Sequence, residues 1–184
     1  MSRTFRTIFP FLLMALFTVA CEKRDDGPSN IVEIPEGLPD EDGENMTIIL
    51  SDSAWKKAII QAGHARKFNT RQETLIDNGI YVQFFDRLGE TTAILHADSA
   101  RIDDNTGNMC AFGNVDVYSR KNKTAVATEA LCYDKEKGKL HSEDHFQLVD
   151  TLRGRFVRGK GFESDESLRE YTIYQVTGEA TTQQ

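Results

Sequence analysis

No stretch of this chain is both apolar and long enough to span a bilayer. The longest apolar run, Ile8 to Ala20, is interrupted by Pro10, and a spanning helix needs about 20 such residues, so no permanent transmembrane helix is expected. Cysteine is scarce: three residues, Cys21, Cys110 and Cys132, none in a CxxC pair. Without HExxH or any other strong ligand spacing, no metal site is expected. His141 and His145 are the nearest histidine pair, but four residues along a strand span about 13 Å, too far to share one ion. Gly159-Lys160-Gly161 lacks the further glycine and following helix of a phosphate loop, so close strand approach or a bulge is the better reading. Nucleophile elbows and catalytic triads are missing as motifs. No catalytic residues, no cofactor and no enzymatic activity are therefore expected. An excess of positive charge is lacking too: 22 Lys and Arg stand against 29 Asp and Glu, for a net charge of -7. Such a surface repels nucleic acid.

The N-terminus has the order of a secretory leader: a basic start with Arg3 and Arg6, the apolar run, then small residues before Cys21. Thr18-Val19-Ala20-Cys21 resembles a bacterial lipobox, with Thr18 where Leu is usual. Residues 1–20 are read as a lipoprotein signal peptide and Cys21 as an acylated anchor, since several long acyl chains hold a protein durably at a membrane. Residues 21–45 carry Pro28, Pro35 and Pro39, glycines and many acids. They bury too little to fold and are read as an acidic flexible tether.

From Met46 onward, apolar and polar residues alternate, as in Ile80-Tyr81-Val82-Gln83-Phe84, Val115-Asp116-Val117 and Phe146-Gln147-Leu148. Period-2 alternation predicts half-buried strands. Turn chemistry separates them at Asp77-Asn78-Gly79, Asp104-Asn105-Thr106-Gly107, Lys121-Asn122-Lys123 and Lys135-Glu136-Lys137-Gly138. Shifting residues 97–117 by 31 lays them on 128–148, matching Asp103 to Asp134, Gly107 to Gly138 and Val117 to Leu148; a further shift reaches Asp165. Residues 58–68 resemble 93–103. Each unit reads as strand, turn and returning strand, stacked on its neighbour. The recurring aspartates point to turn hydrogen bonding rather than acid–base catalysis. A hairpin centred on Lys121 would bring Cys110 opposite Cys132 on one side of the sheet, so a disulfide or two small buried thiols are both open.

The ordered motifs Ala97-Asp98-Ser99-Ala100, Gly113-Asn114-Val115-Asp116-Val117, Thr128-Glu129-Ala130-Leu131 with Tyr133-Asp134, and Gly159-Lys160-Gly161-Phe162 resemble the LptC family. These are membrane-anchored periplasmic components of the lipopolysaccharide exporter, related to the OstA-like fold of that system's bridge proteins. The resemblance implies an all-β domain over residues 46–180: a twisted, V-shaped antiparallel β-jellyroll, open along one side. It implies lipopolysaccharide as ligand, the transmembrane subunits of the export ABC transporter and a periplasmic bridge protein as partners joined by edge-strand addition, and a periplasmic location at the inner membrane, where family members are held by an N-terminal transmembrane helix and this chain departs from them in using the lipid on Cys21. The groove would be lined by Ile80, Val82, Phe84, Ile102, Val115, Val117, Leu131, Phe146, Leu148, Phe162 and Ile173. Because the chain is acidic, acyl-chain burial rather than attraction to phosphate would supply affinity, at about 25 cal/mol per Å². A structural or surface β-repeat lipoprotein without lipid transfer is the alternative.

Overall fold

Strands whose side chains alternate need cover for one face only, and the described part of this chain is built from ten of them. The computed structural model describes residues 37–52 and 55–181; the leader, Cys21 and most of the acidic linker lie outside the described residues. The strands are β1 (Glu41–Asp52), β2 (Trp55–Phe68), β3 (Glu73–Phe85), β4 (Thr91–Ala97), β5 (Ser99–Asp103), β6 (Met109–Ser119), β7 (Thr124–Asp134), β8 (Lys139–Asp150), β9 (Arg155–Asp165) and β10 (Tyr171–Thr181). All pairings are antiparallel and run in chain order, with β4 and β5 sharing the lane between β3 and β6. The fold is all-β. Pairing begins at Glu41 rather than near Met46, because the backbone of β1 pairs with β2 along its acidic first half. The tether expected to reach residue 45 therefore gives way to strand earlier.

Nearly every lane is broken at its middle. Asp77-Asn78-Gly79, expected as a turn between strands, is instead a bulge inside β3, with Asn78 and Gly79 both at positive φ. Further bulges fall at Gly113-Asn114 in β6 and at Glu143-Asp144 in β8, so every second lane carries one. Between the first two, Asp98 interrupts β4 and β5 and keeps the ladder satisfied: its N–H donates to the Gly113 carbonyl and its own carbonyl accepts from Gly79 N–H, both at 2.9 Å. Its carboxylate also accepts a hydrogen bond from the Asn114 amide at 2.7 Å. Aligned bulges bend neighbouring strands together, and the result is a crease across the sheet.

Folding along that crease sets opposite strand ends against one another. Call the turns at 86–90, 120–123 and 151–154 the upper rim, and those at 69–72, 104–108, 135–138 and 166–170 the lower rim. The Asn122 amide, on the upper rim, donates to the Ser167 carbonyl on the lower at 2.8 Å. Tyr171, at the lower end of β10, lies within electrostatic reach of Asp150 and Arg155 at upper strand ends. Such contacts require the lanes to double back, which lets one sheet supply both covers of its own core.

The 31-residue repeat is the hairpin unit of this meander. Asp103, Asp134 and Asp165 each end a downward strand and accept turn N–H groups: from Asn105 and Thr106, from Lys137, and from Arg169 and Glu170 respectively. All three carboxyls lie below the usual range: the Thr106 N–H leads at Asp103 and the Lys137 ammonium at Asp134, while at Asp165 burial acts the other way and is outweighed by the Ser167 hydroxyl together with the turn N–H groups. On the upper rim Asp86, Ser119 and Asp150 do the same work.

Gly159 shows how tightly the layers are fitted. A Cβ there would sit 2.4 Å from the Gln175 carbonyl oxygen of β10 and 2.9 Å from the Phe146 ring. Gly159→Ala is expected to cost on the order of 1–3 kcal/mol through overpacking, read as a lowered midpoint in urea denaturation.

Candidate functional site: an apolar interior between two free edges

Strand register places the apolar residues in rows that cross lanes. One row runs Ile48, Ile60, Val82, Leu95, Val117, Val126, Leu148 and Val157 through successive pairings. Beyond the crease a second row runs Ala65, Ile76, Ala100, Ala111 and Leu131, and Phe162 pairs Ile173 farther along. With few exceptions these residues form one cluster, in which Phe146 and Phe162 pack with ring centroids 5.0 Å apart. Burying each large side chain contributes about 1.5–3 kcal/mol.

All eleven residues expected to line a groove fall in or against this cluster. Ile80, Val82, Val115, Val117, Leu131, Phe146, Leu148 and Phe162 are buried, while Phe84, Ile102 and Ile173 are half-buried and pack against it. The expectation of a slot open along one side is not met at these positions: Leu148 and Phe162 are 0% exposed, so water does not reach them. Part of the closure comes from Leu168, a residue the sequence reading missed. It sits in the β9–β10 turn with φ of 56° and is 1% exposed, its side chain turned into the core cluster. Turn position gave no periodic signal by which to find it. The same turn is held by the Asn122–Ser167 bond and by the Tyr133 hydroxyl donating to Glu166. Burial and then the Glu166 carboxylate push the Tyr133 hydroxyl well above its ordinary pKa. Other interior residues missed, such as Ile60, Ile76 and Val126, lie on the same alternating faces as those found.

Two surface hollows stand out. One follows the crease, lined by Gln61, Gly63, Tyr81, His96 and Asp98 and touching Ala62, Ile80 and Ala97 of the core cluster; the second surrounds Cys110, Cys132, Arg101, Asp134 and His141. His141 and His145 both stand on β8 with the bulge between them, and among the described residues no cluster of acids, histidines and cysteines could hold a metal ion. Cys110 and Cys132 are directly paired across β6 and β7 and form a disulfide, S–S 2.09 Å.

Among the described residues β1 pairs only β2, and β10 pairs only β9. Both edges therefore offer unpaired backbone groups, and both show apolar side chains: Met46 and Ile49 on β1, Tyr174 and Val176 on β10. An exposed apolar edge is suited to strand addition. The acidic half of β1 is pinned by His64, whose Nε2 meets Asp42 at 2.8 Å and whose Nδ1 meets Asp77 at 2.9 Å. Asp77 also accepts from the Arg66 guanidinium at 2.5 Å. Asp42, then Asp77, raise the His64 pKa above 6.5. The imidazolium in turn leads in holding Asp77 below the usual carboxylate range.

No protein-family model matches the chain, and no curated protein matches it. A similar solved structure is LptH from Pseudomonas aeruginosa, described as the LptA-homologous periplasmic component of the lipopolysaccharide transport device. The match has a TM-score of 0.52 at 13% identity and covers 66% of this chain and 84% of that one. At that identity the likeness is one of fold, and it agrees with the β-jellyroll that the resemblance to the LptC family implied.

Two outcomes follow from this geometry. Without prior reduction Cys110 and Cys132 resist alkylation in mass spectrometry, and reduction lowers stability by about 3 kcal/mol for a loop of this length. The His64 clasp stabilises most below pH 6.5, its reference value, and its contribution is lost as pH rises through the elevated folded pKa. NMR titration should show His64 titrating above 6.5, with Asp42→Asn moving it back toward that value.

Proposed function

We propose that the chain is a lipid-anchored periplasmic component of lipopolysaccharide transport, which holds acyl chains between its two β layers and passes them along the exporter's protein bridge. The observation that carries this reading is the apolar row continuous across eight lanes, from the edge strand β1 to β9, in a sheet with two unpaired edges and a fold like that of LptH. A row of that kind suits a long apolar chain better than a compact ligand, and free edges suit end-to-end joints with partners of similar architecture. The reading supports no catalysis by this chain, so the energy for transport is supplied by an ATP-hydrolysing subunit elsewhere.

The finer assignment is to an LptC-like role: acylated Cys21 at the inner membrane, one edge on the transporter's transmembrane subunits and the other on a soluble bridge protein. It is supported by the lipobox-like Thr18-Val19-Ala20-Cys21 and the acidic linker behind it. One observation favours the scaffold reading instead. The interior is shut to water at Val126, Leu148 and Phe162, so lipid entry requires the two layers to part.

A photo-crosslinking residue at Phe84, Ile102 or Ile173 decides between them, since these half-buried positions tolerate substitution better than the sealed core. Lipopolysaccharide adducts during active export are the expected outcome. Absence of adduct at all three, with the protein folded and surface-exposed to protease in intact cells, would leave the scaffold reading standing.

A further inference from the structure

The charge of this acidic chain is unevenly placed. Residues 52, 55–57, 86–90, 120–123, 150–155 and 179–181, all at the upper rim, hold eight Lys and Arg against five acids. Of those acids Asp150 is fully buried against Arg153, Asp86 is committed to the N–H groups of Leu88 and Glu90, and Glu179 pairs with Arg155. The lower rim with the start of β1, residues 40–42, 69–72, 103–108, 134–138 and 165–170, holds ten acids against four cations. Among the described residues, Arg87, Arg120, Lys121 and Lys123 are exposed and form no ion pair.

A second observation falls on the same rim. The two most exposed large apolar side chains of the described residues are Leu88, 88% exposed, and Leu152, 67% exposed, and each sits in an upper-rim turn. The chain's single tryptophan, Trp55, opens β2 there. Leucines standing out of turns among unpaired cations, with tryptophan beside them, are the arrangement by which a protein seats itself in the headgroup layer of an anionic membrane. A protein partner of acidic surface would account for the cations but not for leucines held singly in separate turns. The one acidic turn reaching this rim, 165–170, is partly neutralised, since Arg169 pairs with Asp165 and Glu170.

We propose that the upper rim is a membrane-docking surface, which rests Leu88 and Leu152 in the interface of an anionic bilayer. This goes beyond the proposed transport role and holds whatever the interior carries. A tethered domain would thereby have an orientation as well as an address.

Trp55 is a built-in reporter. The full chain is mixed with vesicles of phosphatidylglycerol and phosphatidylcholine, or of phosphatidylcholine alone, both with brominated acyl chains; the neutral vesicles measure what the N-terminal apolar segment contributes by itself. The expected result is Trp55 quenching on the anionic vesicles that is strongly reduced on the neutral ones and weakened by salt. Arg87→Glu with Lys121→Glu should lower anionic-vesicle affinity at least about tenfold. The equal charge change Lys135→Glu with Lys137→Glu, on the lower rim, should leave it within about twofold. Leu88→Ser with Leu152→Ser should reduce quenching while the salt dependence persists. Equal quenching on both vesicle types, no quenching on either, or equal losses from the two charge-reversal pairs would overturn the proposal.

Discussion

A single sheet with one apolar face must find something to cover that face, and in this protein the cover is the sheet itself. Bulges in every second lane, with Asp98 carrying the ladder between two of them, align into a crease. Each strand then contributes to both layers, so side chains from its two halves meet across the core. Phe146 and Phe162 pack with their rings tilted against each other, although they belong to different lanes and opposite sides of the bulge line. Remove the alignment and the rows ending in Val157 and Leu131 would each face water, at a cost no turn chemistry could offset.

The other ties are local and serve ends that the crease leaves loose. The disulfide fastens β6 to β7 on the outer face, opposite to Ala111 and Leu131. The His64 clasp holds the acidic start of β1, an edge strand with a neighbour on one side only. Leu168 and the Asn122–Ser167 bond join the rims at the other side of the sheet. The His64 clasp is thus a titratable contact at one edge, while Leu168 adds apolar packing at the other side.

The same architecture sorts charge. In a meander, successive turns alternate between rims, so a repeat of two strands sends every second turn to the same place. Acidic turn sequences built around Asp103, Asp134 and Asp165 accumulate on one rim, and Arg120-Lys121-Asn122-Lys123 with Arg153 and Arg155 on the other. An overall charge of -7 conceals this. Neither the apolar interior nor the basic rim depends on the sign of the whole.

Alternating residues such as Val115, Val117, Phe146 and Leu148 were enough to specify strands, their buried face and the hairpin repeat, because side-chain direction in a strand is set by position parity. The hairpin expected around Lys121 also set Cys110 opposite Cys132, although in the structure it is the Gly113-Asn114 bulge that shifts the register to bring the two together. What parity cannot specify is where a lane bends. Asp77-Asn78-Gly79 has the composition of a turn, and only its neighbours in β2 and β4 make it a bulge, since Gly79 and Asp98 must bond across it. The early start of β1 depends on a partner strand, and the burial of Leu168 on a second layer lying over its turn. The sequence by itself determined which residues would be apolar, paired and turned; tertiary structure alone decided that the apolar face would close on itself, because closure depends on bulges aligning across lanes far apart in the chain.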